Sequence, residues 1–111
     1  MAFVNSYEGK DVVIVAGRVV QSGDQSITSG KGFSIADSGV GTTTVTFDRA
    51  YDTLIAVTAS SLAAGDTMHV GTITHTDGTA GPSIIFQGNA VSDGTDGDTT
   101  FSFITVWEVD T

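Results

Sequence analysis

The chain has 111 residues, a length that suits one domain with one modest hydrophobic core. Its 13 acidic and 4 basic residues give a formal net charge of −9, and the few basic residues are scattered, which argues against a nucleic-acid-binding protein. Cysteine is absent, which excludes disulfides, thiolate catalysis and cysteine zinc sites, and no apolar run approaches the roughly 20 residues of a membrane-spanning helix.

Residues 1–10 predict an N-terminal arm, because Phe3 and Tyr7 occur there without a clear apolar period. An arm with spaced aromatic side chains is able to dock on a neighbouring molecule by strand addition or in a groove. Residues 11–21 predict the first firm strand, in which Val12–Ala16 is apolar at both parities. We therefore expect both faces of this strand to be covered.

The runs 33–35 and 44–47 place an apolar residue at every second position, which is typical of strands with one buried face. A glycine-rich turn at 39–41 separates them, and a third β-patterned run follows at 54–59. These segments predict consecutive strands of an antiparallel sheet.

Further strands are predicted at 67–76, 83–87 and 100–109. The last of these is apolar at both parities and contains Trp107, so it is a central strand or one covered by a neighbouring subunit. The sequence as a whole predicts an all-β fold of about 7–8 short strands, an antiparallel β-sandwich of jelly-roll type. We expect it to form one domain over residues 11–111.

A polar loop near the C-terminus holds a weak candidate metal site, with carboxylates at Asp93, Asp96 and Asp98 that would suit calcium. The spacing differs from that of an EF-hand, and a solvated acidic turn is the alternative interpretation. His69 and His75 share a strand face but lie about 20 Å apart on a regular strand, too far to bind one metal ion. We therefore expect no cofactor and no metal, and a melting shift with chelator would reveal calcium.

The sequence gives equally weak support for catalytic residues and for sugar-binding residues. No serine is framed by a nucleophile elbow, and the carboxylate pair Asp48 and Asp52 lies in a predicted hairpin connection with little room for a cleft. We therefore expect no enzymatic activity. Tyr7, Tyr51 and Trp107 could stack on sugars, whereas the alternative is a core position for Trp107 and loop anchors for the tyrosines.

Three short motifs carry a resemblance to a known family: a GxGFS-type opening at Gly30–Ser34, the strand Thr44–Phe47, and the closing run Phe101–Ile104. With them the chain resembles small β-sandwich modules of tailed-phage virion proteins. Such modules occur in capsid decoration (cement) proteins and in tail-fibre or tail-tip proteins. The resemblance spans roughly Val19 to the C-terminus, but the chain departs from the family pattern between Ser60 and Gly81.

This resemblance implies a non-enzymatic structural protein on the capsid exterior, assembled in the host cytoplasm. Its partners would be the major capsid protein and itself, as a homotrimer, without nucleic acid or membrane. The acidic surface suits a virion exterior better than a surface facing the genome. The expected capsid-docking residues are Phe3, Val4 and Tyr7, and the expected oligomer-interface residues are Val12, Ile14 and Trp107. The alternative is a tail-fibre or tail-tip module that binds a host receptor or glycan.

Overall fold

The computed structural model describes residues 3–7, 10–75 and 81–109. These residues form nine strands and no helix, which confirms the predicted all-β class. The strands are β1 (Phe3–Tyr7), β2 (Lys10–Val20), β3 (Ser26–Gly30), β4 (Phe33–Gly39), β5 (Thr42–Phe47), β6 (Thr53–Ser61), β7 (Asp66–Thr74), β8 (Ser83–Ala90) and β9 (Thr100–Val109). The segment interpreted as an arm contains β1, which pairs with β2.

The strands form two antiparallel sheets. Sheet A has the order β1-β2-β9-β6, and β3 also pairs with β2. Sheet B has the order β4-β5-β8-β7. One edge of β2 is divided between β1, which pairs with Lys10–Ile14, and β3, which pairs with Gly17–Val20. The other edge of β2 pairs with β9 along Asp11–Val20, so this pair forms the centre of sheet A.

The hydrophobic core lies between the two sheets, where the alternating apolar residues of facing strands meet. Aromatic rings bridge the sheets: Phe33 of β4 packs edge-on against Phe103 of β9 at 5.0 Å between ring centroids, and Phe86 of β8 stacks on the same ring at 5.2 Å. The other fully buried apolar side chains of this core include Val13, Val15, Val19, Val45, Phe47, Tyr51, Ile84, Phe101 and Trp107. The predicted alternation in 33–35 and 44–47 therefore identifies core residues correctly.

The chain crosses from sheet A to sheet B through the GxGFS segment. Gly17 of β2 pairs with Gly30 of β3, and the ring of Phe33 packs over both residues. A Cβ atom at Gly30 would collide with the carbonyl oxygen of Ala16 and lie 2.9 Å from the Phe33 ring. The glycines thus provide the space in which Phe33 reaches the core, which gives this motif a structural role.

A buried glutamine joins the loops at one end of the sandwich. Gln21, 1% exposed, donates from Nε2 to the carbonyl oxygen of Gly41 at 2.7 Å and to Oγ1 of Thr43 at 2.9 Å. Its Oε1 accepts from the backbone N–H of Thr99 at 2.9 Å. The turn after β2, the β4–β5 turn and the β8–β9 loop are therefore connected through one side chain.

Replacing Gln21 with leucine is expected to lower the free energy of unfolding by about 2–3 kcal/mol, because the buried N–H of Thr99 loses its acceptor. The partly exposed Gln25, which bonds to Thr43 at 2.6 Å, is the comparison residue. Gln25→Leu should cost less than about 1 kcal/mol, since water is able to replace its bonds. Urea denaturation of both variants measures the difference, and equal losses would contradict a special role for Gln21.

Candidate interaction surface

The outer face of sheet A, which points away from the core, carries a patch of apolar side chains. Ala16 of β2 lies opposite Ile104 of β9 and forms one row of the patch with it. Two residues along the strands, Ile14 lies opposite Val106, and Val106 lies opposite Ala56 of β6 on its other side, which forms the second row. We call these residues the outer patch: Ile14, Ala16, Ala56, Ile104 and Val106. The exposed fraction of Ile104 is 47%, although it lies on the central strand β9. Isolated exposed aliphatic residues are ordinary, but adjacent ones in two rows indicate a surface for association.

Charge on this face is balanced, unlike that of the chain. Among the described side chains that β2, β6 and β9 direct outward, only Arg18 and Glu108 are charged. Arg18 lies one row beyond Ala16, and Glu108 lies one row beyond Val106, at the opposite end of the patch. The outer patch is therefore locally neutral on a chain of net charge −9, a composition suited to close approach by another protein.

The predicted interface residues divide between the two faces of sheet A. Val12 and Ile14 have outward positions on β2, but Val12 is buried within the chain, whereas Ile14 is half-buried and belongs to the outer patch. Trp107 is 0% exposed and lies in the core, where its ring stacks on Tyr51 at 4.7 Å. The interface assignment of Trp107 is therefore wrong, because the chain itself covers this side chain. The alternation along β9 contained the signal for the outward-facing residues, since Ile104 and Val106 have the opposite parity to Trp107.

The predicted docking residues lie on β1, whose backbone pairs with β2. Phe3 is opposite Ile14 in this register, Val4 is opposite Val13, and Tyr7 is opposite Lys10. The side chains of Phe3, Val4 and Tyr7 lie outside the described part of the structure, so their docking role stays a prediction. The backbone places β1 beside the outer patch, at the edge of the same sheet.

The acidic loop uses its carboxylates separately. Asp93 Oδ1 accepts from the N–H and the hydroxyl of Thr95, Asp96 Oδ1 accepts from the Asn89 amide at 3.0 Å, and Asp98 Oδ1 accepts from the N–H of Gly41 at 2.8 Å. The bonds from Thr95 lower the pKa of Asp93. No group of three or more potential ligands is present within the described ranges. Asp93 and Asp96 shape the loop locally, whereas Asp98 joins it to the β4–β5 turn.

The histidines have different environments. His69 is exposed on β7, whereas His75 is partly buried and its Nε2 lies 2.9 Å from the carbonyl oxygen of Tyr51. The His75 ring also packs edge-on against Trp107 at 5.2 Å. Its contacts indicate that His75 holds the β5–β6 connection against the core.

Two of the three aromatic residues considered for sugar stacking lie in the core, and the side chain of Tyr7 lies outside the described part of the structure. Tyr51 and Trp107 are both buried and stack on each other, with Phe47 packed edge-on against them. Burial raises the pKa of the Tyr51 hydroxyl. The alternative interpretation of Trp107 as a core residue is therefore the correct one.

The described residues contain no detected pocket and no helix able to span a membrane. Comparison of the chain with protein-family models, with curated proteins and with solved structures found no match.

Proposed function

We propose that this chain is a non-enzymatic structural protein of a virion, a capsid decoration (cement) protein that binds shell subunits and copies of itself. The observation that carries the proposal is the outer patch, an apolar and locally neutral surface on the central strands of sheet A. Such a surface supports a role in association. The resemblance of Gly30–Ser34, Thr44–Phe47 and Phe101–Ile104 to phage β-sandwich modules supports the virion as the place of action.

In this proposal the protein is added to the outside of the capsid after synthesis in the host cytoplasm. Phe3, Val4 and Tyr7 on β1 dock on the major capsid protein, and the outer patch provides the contact between copies. A homotrimer is the assembly that the resemblance implies. Each contact is small, and repetition over the shell lattice provides stability through avidity.

Binding to isolated shells tests the proposal. The purified chain is mixed with shells of the virus that encodes it, and the bound fraction is measured after sedimentation. We expect saturable binding that a variant lacking residues 1–8 loses at least about 10-fold, because the docking strand is removed. Circular dichroism melting of the shortened variant checks that it is folded. Absence of binding by the full chain, or unchanged binding by a folded shortened variant, would contradict the capsid and docking-strand parts respectively.

A further inference from the structure

We infer that the outer patch binds the same patch of a second copy of this chain across a two-fold axis, with the strands of the two copies antiparallel. The inference deepens the self-association part of the proposed function and rests on it, but it replaces the homotrimer that the resemblance implies with a two-fold dimer. The axis lies between the stacked faces, perpendicular to the strands. A contact of this kind is closed and uses one surface twice.

The shapes of the side chains are compatible with this arrangement. The patch has one row with Ala16 beside Ile104 and a second row with Ile14 beside Val106. When the axis passes between these rows, Ile14 of each copy packs on Ala16 of the other, and Ile104 packs on Val106. On β2 the large Ile14 then faces the small Ala16, as interdigitated sheets favour, whereas Ile104 and Val106 on β9 are both large. With the strands parallel and the axis between β2 and β9, Ile14 would face Val106 and Ala16 would face Ile104, so shape alone does not select the strand direction.

The charges favour the antiparallel arrangement over the parallel one. Arg18 and Glu108 lie at opposite ends of the patch, about 20 Å apart at the rise of a regular strand. When the strands of the two copies are antiparallel, Arg18 on β2 of one copy lies at the same end of the interface as Glu108 on β9 of the other. Parallel strands would instead set Arg18 against Arg18 and Glu108 against Glu108. Because each copy has a net charge of −9, contact through this neutral face also avoids most of the repulsion between copies.

Light scattering coupled to size-exclusion chromatography measures the assembly of the full chain. We expect a dimer that dissociates on dilution. A monomer at every concentration would overturn the inference. A trimer would also overturn it, because a self-complementary face closes with two copies, and it would favour the assembly implied by the resemblance.

Exchange of the two charges tests the antiparallel arrangement. R18E and E108R each place like charges together twice, so each should weaken the dimer about 10-fold. A mixture of R18E with E108R should form a heterodimer, and the double variant R18E/E108R should recover the original affinity. If the double variant R18E/E108R pairs better with the unmodified chain than with itself, the strands are parallel and the inference is wrong.

A matched pair of isoleucines tests the surface. Ile104→Lys places a charge in the centre of the patch and should weaken the dimer about 100-fold. Ile73→Lys is the control, because Ile73 is 44% exposed, close to the 47% of Ile104, but lies on β7 of sheet B. Equal effects of the two variants would overturn the inference.

Shell binding separates failure of this inference from failure of the proposed function. A chain that dimerises through the outer patch but does not bind shells keeps the inference and rejects the capsid role. A chain that binds shells and is monomeric in solution keeps the capsid role and rejects the inference.

Discussion

Replacing Trp107 with alanine is expected to lower the free energy of unfolding by about 4 kcal/mol, a large share of the stability of a small domain. The ring is 0% exposed and contacts Phe47, Tyr51 and His75. Its Nε1–H donates to Oγ1 of Thr105 at 2.8 Å, and that hydroxyl donates to the carbonyl oxygen of Val15. The substitution thus leaves a cavity between the sheets and removes one bond of a buried chain.

Urea denaturation followed by far-ultraviolet circular dichroism measures this loss, because Trp107 is the single tryptophan and fluorescence would vanish with it. Trp107→Phe is the matched variant: it keeps most of the ring but removes the N–H donor, and should cost about 2 kcal/mol. A loss below about 1 kcal/mol for Trp107→Ala, together with a change of oligomeric state, would restore the interface role that the core position contradicts.

Strand periodicity predicted the fold because burial on one face of a strand is recorded directly in the sequence. Phe33, Val45 and Phe47 are all core residues, as their alternation indicates. On β9 both parities are apolar, so alternation alone did not decide which face points inward. In the structure Trp107 points into the core, where Phe47 of sheet B packs against it, whereas Ile104 has the opposite parity and points outward.

Other features depend on contacts between distant residues and left no local pattern. Gln21 reads as part of a polar turn, yet it is buried because Gly41 and Thr99 come from loops 20 and 78 residues away in the sequence. The register shift between Leu54 and Ala56 moves the later residues of β6 to the opposite parity, which places Ala56 in the outer patch. The candidate surface was therefore predicted only in part, through Ile14.

Replacing Gly30 with alanine is expected to lower the free energy of unfolding by about 3–5 kcal/mol, for two independent reasons. The φ angle of Gly30 is 107°, a conformation that residues with a Cβ atom rarely adopt. The new Cβ would also collide with the carbonyl oxygen of Ala16 and press on the ring of Phe33. Relief of the collision requires the β3–β4 crossover to move away from β2, which withdraws Phe33 from the core.

Gly23 separates these two reasons. Its φ angle is 68°, also positive, but nothing lies within 4 Å of the position that its Cβ would occupy. Gly23→Ala therefore carries the backbone cost alone and should lower the free energy of unfolding by about 1 kcal/mol. Urea denaturation of both variants measures the difference, which contains the close packing at the crossover and the added backbone cost of a φ angle of 107° over one of 68°. Losses of the same size would mean that the GxGFS segment needs glycine for its backbone angle and not for the space that Phe33 and β2 require.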